Sequence, residues 1–459
     1  MFRMNMLLSK SLKEIISWMA WIIIPFIMEI IPAIGGFFIL VRKAFDVNSK
    51  DKFVGKLPQI TVIIPVYNSE DTLRGCIKSI YDSNYPVELI DLILVNNMSS
   101  DNSFGVFCQC QKEFKDLSMR YMNAKQGKSK ALNMALFNSE GKYIIHIDSD
   151  GKLHPDAIRN IVVRFENNPD IHCMTGAILS DIHSIEKTEG KLLRLVRRCE
   201  FYEYASAFLA GRNFESELNS IYTLSGAFST FRKSTILKTQ LYNSKTVCED
   251  THITFQVRKF LKQKVYLCEN ALFFVDPLDD MDKLYTQRQR WQRGELEVSH
   301  MFLQDKMVAS IGFVGNFMIR VLMYDHTFAF PRMIWYFAII FLFFMGYPPN
   351  LICSSMGMIY VLYVLSAFLF FLNVRSYLKE YKNIRKYYTS KWYYIFLLPL
   401  YNFVIFWIRF AGIINSIKIQ SQWKTLNIHE EYAAFLKVVK SDFKMVVLKI
   451  KKIRRLVNN

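Results

Sequence analysis

The sequence predicts an α/β domain with a mostly parallel sheet, flanked by apolar segments of membrane-spanning length. Three observations carry that expectation. Short β-branched runs alternate with stretches of helical periodicity between residues 59 and 147. Four apolar stretches lie outside that region, each about 20 residues or more, enough for a hydrocarbon core of ~30 Å. The 459-residue chain has a net charge of +18, yet residues 60–326 hold 32 basic and 32 acidic residues and are neutral.

The elements follow in order. Gln59 to Pro65 is a β-branched run closed by proline, the pattern of a strand buried on both faces. Residues 69–82 have helical spacing, with Leu73, Ile77 and Ile80 on one face. Residues 91–95 read as a second strand and 101–114 as a second helix; 119–122 and 127–139 repeat the pair. Residues 142–147 read as a fourth strand. Such alternation implies right-handed crossovers, helices on both faces, and ligands at the carboxyl ends of the strands.

The apolar stretches are residues 15–41, 327–346, 353–372 and 393–414. Arg42 and Lys43, rather than a small-residue cleavage site, follow the first, so it reads as an anchor. The chain divides into an anchor (1–41), a cytoplasmic block (42–300), an interfacial helix region (301–326), C-terminal membrane helices (327–414) and a basic tail (415–459). The excess charge lies outside the neutral block, which argues for juxtamembrane flanks in a cell membrane protein and against nucleic acid. By the same rule the uncharged connection 347–352 faces outside and the basic loop 373–392 the cytoplasm. Four crossings would put the basic tail outside, so one stretch is expected to re-enter, with Pro399 or the Pro25/Pro32 pair as the break. Seven of eight cysteines fall in the cytoplasmic block, where reduced thiols are expected. Glu29 and Arg409, inside apolar stretches, should face protein or a wet cavity.

Three motifs carry chemistry. Strand four ends in Asp148-Ser149-Asp150, two carboxylates that can turn toward one ligand; hard oxygens suit Mg²⁺ or Mn²⁺. Taken alone, the same residues also make an ordinary turn. Glu249-Asp250 supplies adjacent acids, one able to serve as a general base, or both able to complement a helix N-terminus. Gln287, Arg290 and Trp291 place a guanidinium beside an indole, suited either to a diphosphate and a sugar ring or to a lipid interface.

Together and in this order, these residues resemble the family-2 glycosyltransferases, in particular the membrane-embedded processive branch of cellulose, chitin, hyaluronan and poly-N-acetylglucosamine synthases. The resemblance begins at Val62-Ile-Ile-Pro65-Val-Tyr67-Asn68. It continues through Gly127-Lys128-Ser-Lys130-Ala-Leu-Asn133 and through Ser225-Gly226-Ala227-Phe228 with Arg232. It departs after the second strand, where Asn96-Asn97 stands in place of the family's Asp pair.

The resemblance implies a GT-A fold and an inverting transfer from a nucleotide sugar, with a UDP-sugar expected. Pro65, Tyr67, Asn68, Asn96, Asn97, Lys128, Asp148 and Arg290 would bind the donor, and an Asn oxygen can still accept from a uracil N–H. Asp148 and Asp150 would hold Mg²⁺ or Mn²⁺. Asp250, beside Glu249, would deprotonate the acceptor hydroxyl; Ser225, Gly226, Gln287 and Trp291 would bind the acceptor. The product would be a β-linked polysaccharide made at the membrane, with accessory envelope proteins as plausible partners. The alternative is transfer of a single sugar to a lipid-linked acceptor.

Overall fold

The computed structural model describes residues 30–45, 55–303, 330–418 and 430. Eight strands form one sheet in the order β3-β2-β1-β4-β7-β6-β8-β5. They are β1 (Ile60–Val66), β2 (Ile90–Asn96), β3 (Ser118–Asn123), β4 (Tyr143–Ile147), β5 (Gly151–Leu153), β6 (Cys173–Ser180), β7 (Phe228–Arg232) and β8 (Val265–Val275). Strands β3, β2, β1 and β4 are parallel neighbours, as are β6 and β8; β7 runs antiparallel to both β4 and β6.

The apolar runs become strands because both faces of the sheet are covered. Ile60, Val62, Ile64 and Val66 enter one core, with Leu92, Leu94 and Ile145. Ile63, Ile93, Val95 and Ile144 enter the other, on the opposite face. Side chains alternate across a strand, so two buried faces require a continuous apolar sequence. The helices Leu73–Tyr81, Ser103–Glu113 and Lys128–Phe137 fill the crossovers. The expected helix over 69–82 is shorter, because Ser69 accepts from the N–H groups of Thr72 and Leu73 in a turn before the helix starts. Strand order reverses at β1, with β2 on one side and β4 on the other. This opens a crevice at their carboxyl ends.

After the sheet, the helix Met281–Leu303 leads toward the apolar segments. The expected apolar boundaries move. The third stretch is longer, Pro349–Tyr377, because Pro349 can occupy the first helical turn, where no N–H is needed. The expected outer connection 347–352 is therefore mostly helix. The fourth stretch is not one helix: Trp392–Phe396 is a 3₁₀ turn and Leu398–Lys418 the helix, with Pro399 in its first turn. The second stretch is described from Phe330 onward, as the helix Phe330–Phe344. Among the described residues two helices are long and apolar enough to cross a membrane, Pro349–Tyr377 and the segment Leu398–Asn415. Phe341, Phe343 and Phe344 are exposed. Pro25 and Glu29, most of the interfacial region, and nearly all of the tail lie outside the described residues.

The helix Ile31–Phe45 packs on the catalytic block through charge. Lys43 lies 3.0 Å from Glu269, which also receives Arg164. Glu269 reaches them because the β6–β8 pairing skips from Gly176–Cys268 to Ala177–Leu272, leaving residues 269–271 outside the ladder.

Candidate active site

The D-x-D pair follows β4 directly. The Asp148 N–H donates to the Ala227 carbonyl at 3.1 Å, which brings the segment before β7 against the end of β4. Gly226 in that segment leaves room for the Asp250 carboxylate: an added Cβ would stand 2.9 Å from Asp250 Oδ2. Glu249 and Asp250 open the helix Glu249–Lys259, where the helix dipole favours negative charge. Gln287, Arg290 and Trp291 share one face of the Met281–Leu303 helix, as i, i+3 and i+4 spacing requires. Gly294 lets that helix approach the residue before Glu249; a Cβ there would meet Cys248 Sγ at 2.1 Å.

These elements enclose a cavity of about 250 Å³. Ten of the expected site residues line it: Lys128, Asp148, Asp150, Ser225, Gly226, Glu249, Asp250, Gln287, Arg290 and Trp291. Ser225 Oγ is buried there without a hydrogen-bond partner among the described residues. Five expected residues do not line it. Tyr67 and Asn68 are exposed at the end of β1, beyond Pro65. Asn68 has a φ of +47° and accepts from the Ser100 N–H at 2.9 Å. Asn96 donates its amide to Asn123 and accepts from the Ser99 N–H, both at 2.9 Å, so its polar atoms already serve the turn. Asn97 accepts from the Gly127 N–H at 2.5 Å and so fixes the turn that launches Lys128.

Lys128 is the electrostatic node. Its Nζ lies 2.6 Å from Asp148, 3.4 Å from Glu249 and 3.3 Å from the Gly226 carbonyl. Burial opposes its charge, but Asp148 and Glu249 hold it above the ordinary lysine value. Burial likewise opposes the Asp148 charge, and Lys128 and His146 overcome it, holding Asp148 well below the usual carboxylate range. Asp150 goes the other way, to about 6, through burial and the Asp148 charge. Burial pushes Asp250 up, against the Thr251 N–H at 2.7 Å and the charges of Lys128 and Arg212. Burial also raises Glu249, against Lys128. His146, buried in β4 with Nε2 3.6 Å from Asp148, is held by burial below its ordinary value, in the neutral form. Lys130, by contrast, is exposed.

Sequence reasoning missed part of the wall. Tyr204, Phe208 and Arg212 line the cavity from a helix running from residue 191 to 217. Its middle, Ala205–Gly211, widens into π turns, a distortion common at functional sites. Arg212 stacks over Phe208 at 5.3 Å. No composition or motif signal marks this segment. Arg409 does face protein: its Nη2 lies 3.8 Å from Glu203.

Residues 61–240 match the family described as Glycosyl transferase family 2. The chain carries a family 2 glycosyl transferase domain. A poly-β-1,6-N-acetyl-D-glucosamine synthase of Staphylococcus epidermidis is 24% identical over 280 residues, 60% of this chain and 64% of the relative. The synthase of the same name from Staphylococcus aureus strain MSSA476 is 24% identical over 277 residues, with the same coverage. The chain thus spans about 64% of the length of the curated relatives it matches. A mannosyltransferase of Pyrobaculum calidifontis, solved with GDP-Man and Mn²⁺, superposes with a TM-score of 0.50 at 14% identity, covering 86% of this chain and 98% of that one. The shared fold is the GT-A-like α/β architecture, as the sequence predicts.

Among the described residues no cluster of three or more His, Cys, Asp or Glu side chains is placed to hold a metal ion. Two hard carboxylates nevertheless share the cavity, and burial together with the Asp148 charge raises Asp150 to about 6, a penalty that a divalent cation held by the pair would relieve. The donor set fits Mg²⁺ or Mn²⁺ with substrate oxygens completing it.

Proposed function

We propose that this family 2 domain is an inverting glycosyltransferase that adds sugars from a UDP-sugar, foremost UDP-N-acetylglucosamine, to a growing β-linked polysaccharide at the membrane. One observation carries the reading: Asp250 opens onto the same cavity as Asp148, Asp150, Arg290 and Trp291. Base, diphosphate-binding groups and an aromatic sugar platform therefore share one reaction volume. The names of the staphylococcal relatives support N-acetylglucosamine as the sugar.

In this reading the donor's diphosphate lies against Asp148, Asp150 and Arg290. Asp148 and Asp150 would hold Mg²⁺ or Mn²⁺, which when bound neutralises charge on the diphosphate. Arg290 adds a charge-assisted contact to the same oxygens. Asp250 takes the proton of the acceptor hydroxyl, whose oxygen forms the new bond to the anomeric carbon. The bond from that carbon to the phosphate oxygen breaks, and the nucleoside diphosphate leaves with the electron pair. A single in-line displacement turns an α-linked donor into a β-linkage. Burial suits Asp250 to this task, because a carboxylate raised above its ordinary value is a stronger base. Ser225, with its unpartnered buried hydroxyl, and Trp291 would bind the acceptor. Pro65, Tyr67, Asn68, Asn96 and Asn97, at the ends of β1 and β2, would meet the nucleoside of the donor, and Asn97 also fixes the turn before Lys128.

The exposed apolar helices Pro349–Tyr377 and Leu398–Asn415 support a membrane setting with the domain on the cytoplasmic side. Among the described residues these are the two helices of spanning length, and transfer to a lipid-linked acceptor is the second reading. Both are tested by incubating membranes carrying the chain with radiolabelled UDP-N-acetylglucosamine and Mg²⁺ or Mn²⁺. Label in lipid-free, high-molecular-weight material is the expected result. Label confined to the organic extract supports the second reading. No nucleotide release from any donor in a panel refutes both.

A further inference from the structure

Arg288 heads the largest fully buried side chains among the described residues. It does not line the cavity, and the mechanism above gives it no part. A buried guanidinium persists only with partners, and those of Arg288 come from three directions. Its Nη2 lies 2.6 Å from Glu203 and 3.7 Å from Glu200, on the helix Lys191–Tyr204. Its plane lies 4.5 Å from the Trp291 ring centre and 5.4 Å from that of Tyr204. Glu203 in turn accepts from the Tyr401 hydroxyl at 2.9 Å and pairs with Arg409 at 3.8 Å. Tyr401 and Arg409 belong to the apolar helix Leu398–Lys418.

Trp291 and Tyr204 line the cavity; Arg288 stands behind them. A guanidinium held by a carboxylate on its edge and stacked on rings by its face fixes those rings in angle and depth. We infer that Arg288 and Glu203 are positioning residues that set the Trp291–Tyr204 wall for the acceptor sugar, and that Tyr401 and Arg409 tie this wall to the apolar helix. The inference rests on the reading of the cavity as a glycosyl-transfer site. Of the donor groups, Asp148, Asp150 and Lys128 stand on the other support, at the end of β4 and the start of the 128–137 helix; Arg290 shares the Arg288 helix, but the Arg288 guanidinium itself stacks on Trp291 and Tyr204. Disturbing the Arg288 network therefore falls first on the acceptor wall.

The test uses membranes carrying the full chain, with UDP-N-acetylglucosamine as donor and a β-1,6-linked N-acetylglucosamine pentamer as acceptor. Arg288→Lys keeps the charge and loses the planar stack; it raises the acceptor KM about tenfold. Tyr401→Phe removes one hydrogen bond with its packing intact, and raises the acceptor KM about threefold. In both, the donor KM stays within about twofold. Trp291→Phe, added to Arg288→Lys, gives less than the product of the two separate effects, because both act through one ring. Equal rises in both KM values, an unchanged acceptor KM, or fully multiplicative effects overturn the inference. Wild-type transfer in the same membranes tests the functional reading separately.

Discussion

Replacing Gly226 with alanine tests the geometry of the base. The new Cβ would stand 2.9 Å from Asp250 Oδ2, whereas ordinary contact begins at 3.4 Å, so the carboxylate must retreat by about 0.5 Å. It pivots about its other oxygen, which accepts the Thr251 N–H at 2.7 Å. Reaction requires near-attack geometry, and a misplacement of about 1 Å costs on the order of a hundredfold. A shift of half that size is expected to lower kcat about tenfold, or ~1.4 kcal/mol. Gly226 does not hold the positive φ that would strain an alanine, and its carbonyl still accepts from Lys128. The melting temperature and UDP binding should therefore stay at wild-type values. Initial rates of nucleotide release, with radiolabelled UDP binding alongside, make the measurement. Adding Gly226→Ala to Asp250→Asn should cost nothing further, since both act on one proton transfer. A kcat within twofold of wild type, or a tenfold loss of UDP affinity in its place, refutes the reasoning.

Three other expectations follow from the same groups. Asp250→Asn removes the base and should lower kcat by about 10² to 10⁴ while UDP binding persists; equilibrium binding of labelled UDP separates the two. Activity should rise with pH through the pKa of Asp250, which burial lifts above the ordinary 3.8. Lys128 pulls that value down, so Lys128→Met should move the acid limb of kcat/KM to higher pH; a limb that stays put rejects Lys128 as its counter-charge. Glu269 is a stability prediction. Burial raises it, but Arg164 and Lys43 overcome burial and hold it at about 2 in place of 4.5. A depressed carboxylate contributes stability above its unfolded pKa and loses it as pH falls through the folded one. Glu269→Gln should therefore cost up to ~3 kcal/mol at pH 7. It should also flatten the decline between pH 4.5 and pH 2 in denaturant titrations.

The first half of the fold was legible because its strands are buried on both faces. Ile60 to Val66 alternates between two cores, and a run apolar at every position but Thr61 is not the pattern of a surface element. The apolar ends were less legible. Hydropathy runs 393–414 together as one stretch, with Pro399 or the Pro25/Pro32 pair as the expected break; the chain forms a 3₁₀ turn at Trp392–Phe396 and begins its helix at Leu398, with Pro399 in the first turn. The Asn96-Asn97 pair shows a different limit. The sequence offers its amides to a nucleobase, and the fold adds Asn123, Ser99 and Gly127 as partners that the sequence does not show, while each amide keeps further hydrogen-bonding capacity.

The motif residues of the site were legible as a set, and their supports were not. Asp148, Asp150, Glu249, Asp250, Gln287, Arg290 and Trp291 have the side-chain types their chemistry needs, so order and spacing identify them. Glu203, Tyr204, Phe208 and Arg212 sit in a helix whose polar and apolar residues read as an ordinary amphipathic pattern. Tyr204, Phe208 and Arg212 are spaced i, i+4 and i+8, so a period-3.6 reading already sets them near one face. The π turns over residues 205–211 lie within that run, and nothing in the spacing says that this face meets a cavity. Arg409 is the counterpart at the membrane end: a lone charge in an apolar stretch is expected to face protein or a wet cavity, and one of its partners is Glu203, about 200 positions earlier in the chain. The same carboxylate holds Arg288 behind Trp291. The polar residue in the apolar helix thus bears on acceptor geometry through packing, without needing to touch the acceptor.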